Sequence, residues 1–243
     1  MSTKVITMSV WGNTPMYTTG AIRNSEIKNE ILPDWEIWVY HDNTVPQDIL
    51  NTLESNGCKL ILPELNNQNM FWRFYPASDT TIERFIVRDS DSRLSLRDVS
   101  ALEDWEQSDK KFHIVREHPV GHAWPLCGGM WGCLGGAIPD INHLINEYLG
   151  GRGDLHAPQH AGGRELDQYF LRDVIYPQYA QHSSFVHDEY TPLKEPHAIP
   201  IKRDLELDEF AFIGEAMDEN DNDRWEREPG EQRAGIKSYY YAK

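Results

Sequence analysis

The sequence predicts an α/β fold in which helices cover the faces of a central parallel sheet. Two observations lead to this prediction. First, 243 residues with 40% hydrophobic and 26% charged side chains are enough for one large core, and this composition is ordinary for a globular protein. Second, strand and helix patterns alternate along the first 62 residues. The composition excludes a mainly disordered, collagen-like or coiled-coil chain.

Each element of this alternation follows from local residue types. Apolar and β-branched residues form the strands, apolar residues on one face mark the helices, and Gly12, Pro33 and Gly57 separate them. Two successive βαβ units require parallel strands, and such sheets bind ligands beyond the carboxyl ends of their strands. The predicted elements are strand Lys4–Trp11, helix Tyr17–Leu32, strand Trp35–Tyr40, helix Pro46–Ser55 and strand Cys58–Leu62.

The second half of the chain continues the pattern with shorter elements. Ser95 is placed to cap a helix, and a glycine- and histidine-rich stretch over residues 150–163 is predicted to be a loop. The predicted elements are strand Phe85–Arg88, helix Leu96–Trp105, strand Lys111–Val115, helix Asp140–Tyr148, helix Arg164–Ile175 and the extended segment Phe185–His187.

The charge is strongly negative and unevenly distributed. The chain carries 23 Lys and Arg against 39 Asp and Glu, a formal charge of −16. Between Asp204 and Glu231, 12 acidic residues face two arginines. We therefore expect an acidic C-terminal arm over residues 202–243, peripheral or partly mobile. A nucleic acid partner is not expected, because a duplex-binding protein needs a basic face.

Cysteine usage and hydropathy point to a reducing compartment. The three cysteines have no metal-type spacing and predict no disulfide frame. No apolar run approaches the roughly 20 residues of a membrane span. We expect a cytoplasmic protein without a transmembrane segment; the sequence does not indicate its oligomeric state.

The most specific motif is the Asp89-Ser90-Asp91 triplet, directly after a buried strand. A turn at the end of that strand would let both carboxylates face one cation, and hard divalent ions such as Mg²⁺ and Mn²⁺ prefer carboxylate oxygens. The flanking Arg88 and Arg93 could balance the local charge or hold a phosphate. The alternative is a polar loop with solvated acids.

Four further features have both a functional and a structural interpretation. Arg73 lies in an aromatic stretch, where an unpaired charge is costly, although it could extend to solvent at a core edge. Gly128 and Gly129 allow a ligand close to the main chain, beside the indole of Trp131, or form a tight turn. The pair Asp167-Gln168 opens a helix, and His187 follows a short strand; each could be an ordinary surface or core group.

Histidine pairs four residues apart, His118 with His122 and His156 with His160, could share a zinc ion on a helix. Both pairs lie among proline and glycine, where a helix is not expected. We therefore do not predict a zinc site.

Taken in chain order, these motifs resemble the GT-A fold glycosyltransferases, in particular the retaining glycogenin- and galactosyltransferase-like members. The RDSDSR and GGMWG segments are also similar to small transferases of bacterial surface-polysaccharide clusters and large algal viruses. The resemblance spans residues 4–190. It implies a mixed, mainly parallel sheet with helices on both faces, in one domain over residues 1–201. A nucleotide-binding half (1–93) and an acceptor half (94–201) would make up that domain.

The resemblance also implies an activity. The protein would be a metal-dependent enzyme that moves a sugar from a nucleotide-sugar donor, such as UDP-hexose, to a glycan acceptor with retention. The implied site residues are Asp89, Asp91 and His187 for Mn²⁺ or Mg²⁺, Arg73, Arg88 and Asp89 for phosphate or donor sugar, Val10, Trp11 and Tyr17 for uracil and ribose, Gly128 and Gly129 for the sugars, and Asp167 and Gln168 for catalysis.

Two other functions remain open from the sequence. Metal-dependent phosphatases of the haloacid dehalogenase type also carry a DxD motif after a strand, but there it normally opens the fold and a small Thr or Val follows it. Here three predicted strands precede the motif, and Ser92-Arg93 follows. A non-catalytic nucleotide-sugar-binding module would bind UDP without turnover.

Overall fold

The protein folds around one seven-stranded sheet. The computed structural model describes residues 2–64, 69–156, 165–190, 195–203, 210–222, 233 and 236. The strands are β1 (Thr3–Val10), β2 (Trp35–His41), β3 (Lys59–Ile61), β4 (Ile82–Val87), β5 (Phe112–Arg116), β6 (Trp131–Leu134) and β7 (Ser184–Asp188). The helices are α1 (Pro15–Ile31), α2 (Gln47–Ser55), α3 (Leu96–Glu106), α4 (Ile141–His156) and α5 (Leu166–Phe170), with a 3₁₀ helix at Asn69–Ser78 and a π-helical segment at Leu171–Ala180.

The sheet is mixed and mainly parallel, as expected. Its strand order is β3-β2-β1-β4-β6-β5-β7. β6 runs antiparallel to both of its neighbours, and the other neighbouring strands pair in parallel. Strand β6 was not predicted, because its four residues follow glycines that are typical of a turn.

Helices cover both faces of the sheet. Along β1 the side chains alternate between two clusters: Val5 packs with the 3₁₀ helix, α4 and α5, whereas Ile6 and Met8 pack with α1, α2 and α3. Because the strands of the sheet centre are buried on both sides, they lack the polar alternation of an exposed sheet. The α/β prediction is therefore confirmed.

Several helix boundaries differ from the predicted ones. α4 continues to His156 rather than ending at Tyr148, so the first part of the predicted glycine- and histidine-rich loop is helical; residues 157–163 lie outside the described residues. Within the described residues, no helix is both long and apolar enough to span a membrane.

The described part of the acidic arm packs against the body of the protein. Phe212 and Ile213 are 6% and 1% exposed, and the Ile213 amide donates to the buried carboxylate of Glu117 at 3.0 Å. The short apolar run Phe210–Ile213, which could be expected to dock despite its acidic surroundings, thus supplies apolar contacts with the body of the protein.

Helix α3 is fixed to the end of β4 by a buried ion pair. The Arg88 Nε donates to the Asp98 carboxylate at 2.8 Å, with both side chains at most 2% exposed. Asp98 also closes the capping box with Ser95, the predicted cap residue. One carboxylate therefore both starts the helix and neutralises a buried guanidinium.

We expect Asp98→Ala to destabilise the fold by about 3–5 kcal/mol, because it leaves the Arg88 charge buried without its partner. Urea unfolding followed by circular dichroism measures the loss. Glu103→Ala, an exposed position on the same helix, is the matched control and should change stability by less than about 0.5 kcal/mol. Equal effects of both changes would contradict the assigned role of Asp98.

Candidate functional site

A cavity of about 760 Å³ opens at the carboxyl ends of β1 and β4. Because the two strands are adjacent and parallel, the segments that follow them meet at the same edge of the sheet. The cavity is lined by Ser9, Trp11, Gly12, Thr14, Tyr17, Asn69, Met70, Arg73, Asp89, Ser90, Asp91, Asp167 and Gln168. The structure therefore brings together residues that are up to about 160 positions apart in the chain.

The aromatic end of the cavity comes from the segment after β1. Trp11 and Tyr17 are 40% and 36% exposed, the values of side chains with one face open. Val10, which we expected beside them, is 1% exposed in the core under α1. This expectation was wrong, because strand alternation turns Val10 to the face opposite Ser9.

Arg73 is the central cation of the cavity. Its guanidinium is ion-paired with Asp89 and donates from Nη2 to Asp167 at 2.9 Å, while the residue as a whole is 8% exposed. Burial alone would lower the pKa of Arg73, but the two carboxylates outweigh it and raise the pKa, so the group stays charged. The aromatic stretch thus tolerates this charge because two acids pair with it.

Two hydroxyl groups of β1 fix the backbone of Arg73. The Thr7 hydroxyl donates to the Arg73 carbonyl at 2.8 Å, and the Arg73 amide donates to the Ser9 hydroxyl at 3.2 Å. Thr7 and Ser9 were not predicted as functional. A signal was nevertheless present: two hydroxyl residues alternate with apolar ones in a strand that is otherwise buried.

Gly128 and Gly129 lie where no side chain would fit. A Cβ on Gly128 would be 2.7 Å from both Asp167 Oδ2 and Gln168 Nε2. A Cβ on Gly129 would overlap the Asp89 carboxylate and lie 3.0 Å from the Asp89 amide. The two glycines therefore let their loop contact both acidic segments of the site directly.

Asp167 and Gln168 lie at the start of α5, next to Gly128. Asp167 is 3% exposed; burial raises the pKa of its carboxyl group, and the Arg73 guanidinium partly opposes this rise. The Gln168 Oε1 atom is buried and has no hydrogen-bond partner. Such an unpaired buried oxygen is rare in proteins, and the residue as a whole lines the cavity.

The acids of the cavity suit a divalent cation. The lining holds three carboxylates and one guanidinium, a formal charge of −2 when all four are ionised. Carboxylate oxygens are the donors that Mg²⁺ prefers, and it commonly takes only one or two of them together with substrate phosphates. Asp89 and Asp91 fit this pattern. The structure brings no third Asp, Glu, His or Cys into a metal-binding group among the residues that it describes.

His187 does not lie with the two aspartates. It is fully buried on β7, where its Nδ1 is 3.0 Å from His113 Nε2 and its Nε2 is 3.3 Å from Asp104. Two strands separate β7 from β4, a distance of about 14 Å across the sheet. Burial lowers the pKa of His187 despite the nearby carboxylate. Its expected place as third metal ligand is corrected: here it is a core histidine.

Two other predicted contacts are also corrected. Arg88 is 2% exposed and held by Asp98, with Nη1 on the carbonyl oxygens of Val87 and Gly129, so it supports the loop and does not face the cavity. Trp131 is fully buried in β6, edge-on to the core aromatics Phe74 and Phe85. Its indole face is not available to a sugar.

Sequence comparisons identify no relative: no family model and no curated protein matches the chain.

Solved structures with similar folds include several glycosyltransferases. A glycosyltransferase involved in the glycosylation of the major capsid of PBCV-1 is 14% identical, with 76% of this chain and 81% of that chain covered and a TM-score of 0.49. Apo GlyE from Streptococcus pneumoniae TIGR4 is 16% identical, with 76% and 45% covered and a TM-score of 0.48. A glucosyl-3-phosphoglycerate synthase from Mycobacterium tuberculosis, in complex with Mn²⁺, UDP and phosphoglyceric acid, is 12% identical, with 55% and 56% covered and a TM-score of 0.38. At these values, function has to be argued from the site.

We expect Gly129→Ala to disrupt the cavity, because the added methyl group would overlap the Asp89 carboxylate. The predicted result is loss of ligand binding together with a destabilisation of about 1–3 kcal/mol. Calorimetric titration with UDP and Mn²⁺ and thermal unfolding measure the two effects. Gly150→Ala, at an α4 position with no neighbour within 4 Å of the new Cβ, should instead leave binding unchanged and raise stability slightly. Normal UDP binding by the Gly129→Ala protein would contradict the site.

Proposed function

We propose that this protein is a metal-dependent glycosyltransferase that moves a sugar, with retention, from a UDP-sugar donor to a hydroxyl group of a glycan acceptor. One observation carries the proposal. A buried arginine joins the first aspartate of a DxD motif to a second buried acid, in a cavity at the carboxyl ends of adjacent parallel strands. Its volume of about 760 Å³ lies within the usual range of small-molecule sites.

The cavity offers separate places for the parts of such a donor. Trp11 and Tyr17 present aromatic surface on which a nucleobase can stack. Asp89 and Asp91 line the same cavity, and Asp89 is ion-paired with Arg73. Aromatic surface and charged groups in one cavity suit a nucleoside joined to a diphosphate.

The acidic lining would repel a diphosphate, so the proposal includes a cation. Asp91 and Asp89 would hold Mn²⁺ or Mg²⁺; when bound, the ion neutralises the diphosphate and stabilises the negative charge that develops on it as the sugar leaves. Arg73 pairs with Asp89 and Asp167 and holds both carboxylates in place. An acidic protein can in this way bind an anionic donor.

Asp167 and Gln168 would serve the reacting sugar. The Asp167 carboxylate, buried and held by Arg73, would stabilise positive charge at the anomeric carbon. The Gln168 side chain, which lines the cavity, would orient a sugar hydroxyl. If the reaction inverts the anomeric centre, Asp167 is the candidate general base.

A donor screen tests the activity. UDP-, GDP- and dTDP-sugars are incubated with Mn²⁺ or Mg²⁺, and released nucleotide is measured with EDTA as the control. We expect release from a UDP-sugar that EDTA abolishes. Hydrolysis of a generic phosphate ester without any nucleotide release would favour a phosphatase, and UDP binding without turnover a binding module; either result would refute the proposal.

Asp91→Asn tests the cation ligand, because it keeps the shape of the side chain and removes the charge. We expect metal-dependent nucleotide release to fall by at least about 100-fold, with the melting temperature unchanged. Asp109→Asn is the matched control: this aspartate is 88% exposed and remote from the cavity, so turnover should stay at the wild-type level. Retained activity in Asp91→Asn would remove Asp91 from the metal site.

Gln168→Ala tests the orienting role. We expect kcat to fall roughly 10–100-fold while UDP affinity changes less than about two-fold, because the amide contacts the sugar end of the donor. Steady-state kinetics and calorimetry measure the two quantities on the same protein. A parallel loss of UDP affinity would move Gln168 from the reaction centre to nucleotide binding.

A further inference from the structure

The turn that carries Asp89 and Asp91 is held from outside the cavity. Along residues 89–94, Ser90, Ser92 and Leu94 are at most 4% exposed, whereas Asp89, Asp91 and Arg93 are partly exposed. Asp89, Ser90 and Asp91 line the cavity. The alternation shows that one side of this turn is packed into the protein. The groups that pack against it decide where the two carboxylates point.

Helix α1 provides the first support. The side chain of Asn24, 1% exposed, donates from Nδ2 to the Ser92 carbonyl at 2.7 Å and accepts at Oδ1 from the Leu94 amide at 2.8 Å. Its Nδ2 is also 3.4 Å from the Ser90 carbonyl. Gly20 lets the helix come this close, since a Cβ there would overlap the Ser90 carbonyl. A single buried amide therefore binds three residues of the turn.

The C-terminal segment 212–222 provides the second support. The Met217 amide donates to the Asp91 carbonyl at 2.7 Å, and Ala216 forms an antiparallel bridge with Ser92. Arg93, which follows the motif, donates to the Asp218 carbonyl at 2.9 Å and to the Asp221 carboxylate at 2.8 Å. This segment crosses the outside of the motif and pairs with it.

The segment is itself anchored, so it can act as a support. Phe212 packs on the ring of His118 with centroids 4.9 Å apart, and the Ile213 amide is bonded to Glu117. Gly214 turns the chain at φ +85° over Met130. Helix α1 and the C-terminal segment, which both contact the turn, are therefore themselves packed against buried residues of the protein.

Together these groups donate hydrogen bonds to the backbone carbonyl oxygens of residues 89–92. Asp89 accepts from the Ser92 amide, Ser90 and Ser92 accept from Asn24, and Asp91 accepts from Met217. Backbone groups that are satisfied in this way leave the turn few alternative conformations.

We propose that Asn24 and the C-terminal segment 212–222 are positioning elements of the DxD turn, which fix both carboxylates in the cavity before donor and cation bind. This proposal depends on the function proposed above in one respect only, namely which ligand binds in the cavity. It also has a reciprocal consequence: if an ordered segment 212–222 favours binding, then binding must favour order in that segment. Segment 212–222 of the acidic arm thus contributes to ligand binding by positioning the DxD turn.

Hydrogen exchange measured by mass spectrometry tests the proposal on the ligand-free protein. Asn24→Asp keeps the acceptor for Leu94 and removes the donor to Ser92. We expect exchange to become roughly ten-fold faster in both the 88–95 and 212–222 peptides, the factor for one lost buried hydrogen bond. Asn29→Asp makes the same chemical change at an exposed position of the same helix and should change neither peptide. Faster exchange confined to α1, or spread over the whole chain, would overturn the proposal.

Arg93→Gln provides a second route if Asn24→Asp fails to fold. It removes the pairing to Asp221 and should also speed exchange in both peptides; an unchanged 212–222 peptide would overturn the proposal. Both variants should weaken UDP binding in the presence of Mn²⁺ roughly ten-fold while thermal unfolding of the Arg93→Gln protein stays near wild type.

Ligand titration separates this proposal from the proposed function. On the wild-type protein, UDP with Mn²⁺ should slow exchange in the 212–222 peptide. Calorimetric binding without that protection would overturn the coupling. An absence of binding would refute the proposed function, whereas the ligand-free exchange of the variants would still decide the positioning role.

Discussion

The buried guanidinium of Arg73 is the interaction on which the rest of the site depends. It joins Asp89, 16 positions away, to Asp167, 94 positions away. Without this cation, Asp167 would be a buried acid with no charged partner, and burial would raise the pKa of its carboxyl group further. The 3₁₀ helix, the strand β1 and the glycine loop all serve to place this one side chain. Thr7 and Ser9 fix its backbone, and Gly128 leaves room for its acidic partners.

Much of the fold and part of the site could be predicted from local sequence. The βαβ alternation predicts the parallel sheet, and Asp89 and Asp91 follow a buried strand that has to end at the ligand-binding edge. The arginine in an apolar stretch required either a partner or access to solvent, and the structure supplies two acidic partners. These predictions succeed because each rests on a rule that acts over a few residues.

The remaining predictions needed distant contacts that no local pattern reveals. From the sequence, Arg88 could hold a phosphate; in the structure it is paired with Asp98 of α3. From the resemblance, His187 was expected to be a metal ligand; in the structure, two strands lie between its strand and the strand that precedes the aspartates. The short strand β6, hidden among glycines, takes Trp131 into the core. In each case a tertiary partner decided between two interpretations that the sequence left open.

The acidic C-terminal region illustrates how composition can mislead. Its net charge suggests a solvated arm, yet Phe212, Ile213 and the Met217 amide make the contacts that matter near the DxD turn. A few apolar residues and one backbone hydrogen bond decide where this segment packs, although most of its residues are acidic or polar. The same logic holds for the cavity, where the balance of three acids and one arginine matters more than the charge of −16 on the whole chain.

The most direct test of the account is a crystal structure with UDP and Mn²⁺, using anomalous scattering to locate the metal. The account predicts one strong anomalous peak in contact with the carboxylate of Asp91 and the diphosphate oxygens, with Arg73 still paired to Asp167 and His187 still in the core. A peak at any other group, or UDP bound in the cavity with both aspartates turned away from the metal, would contradict it.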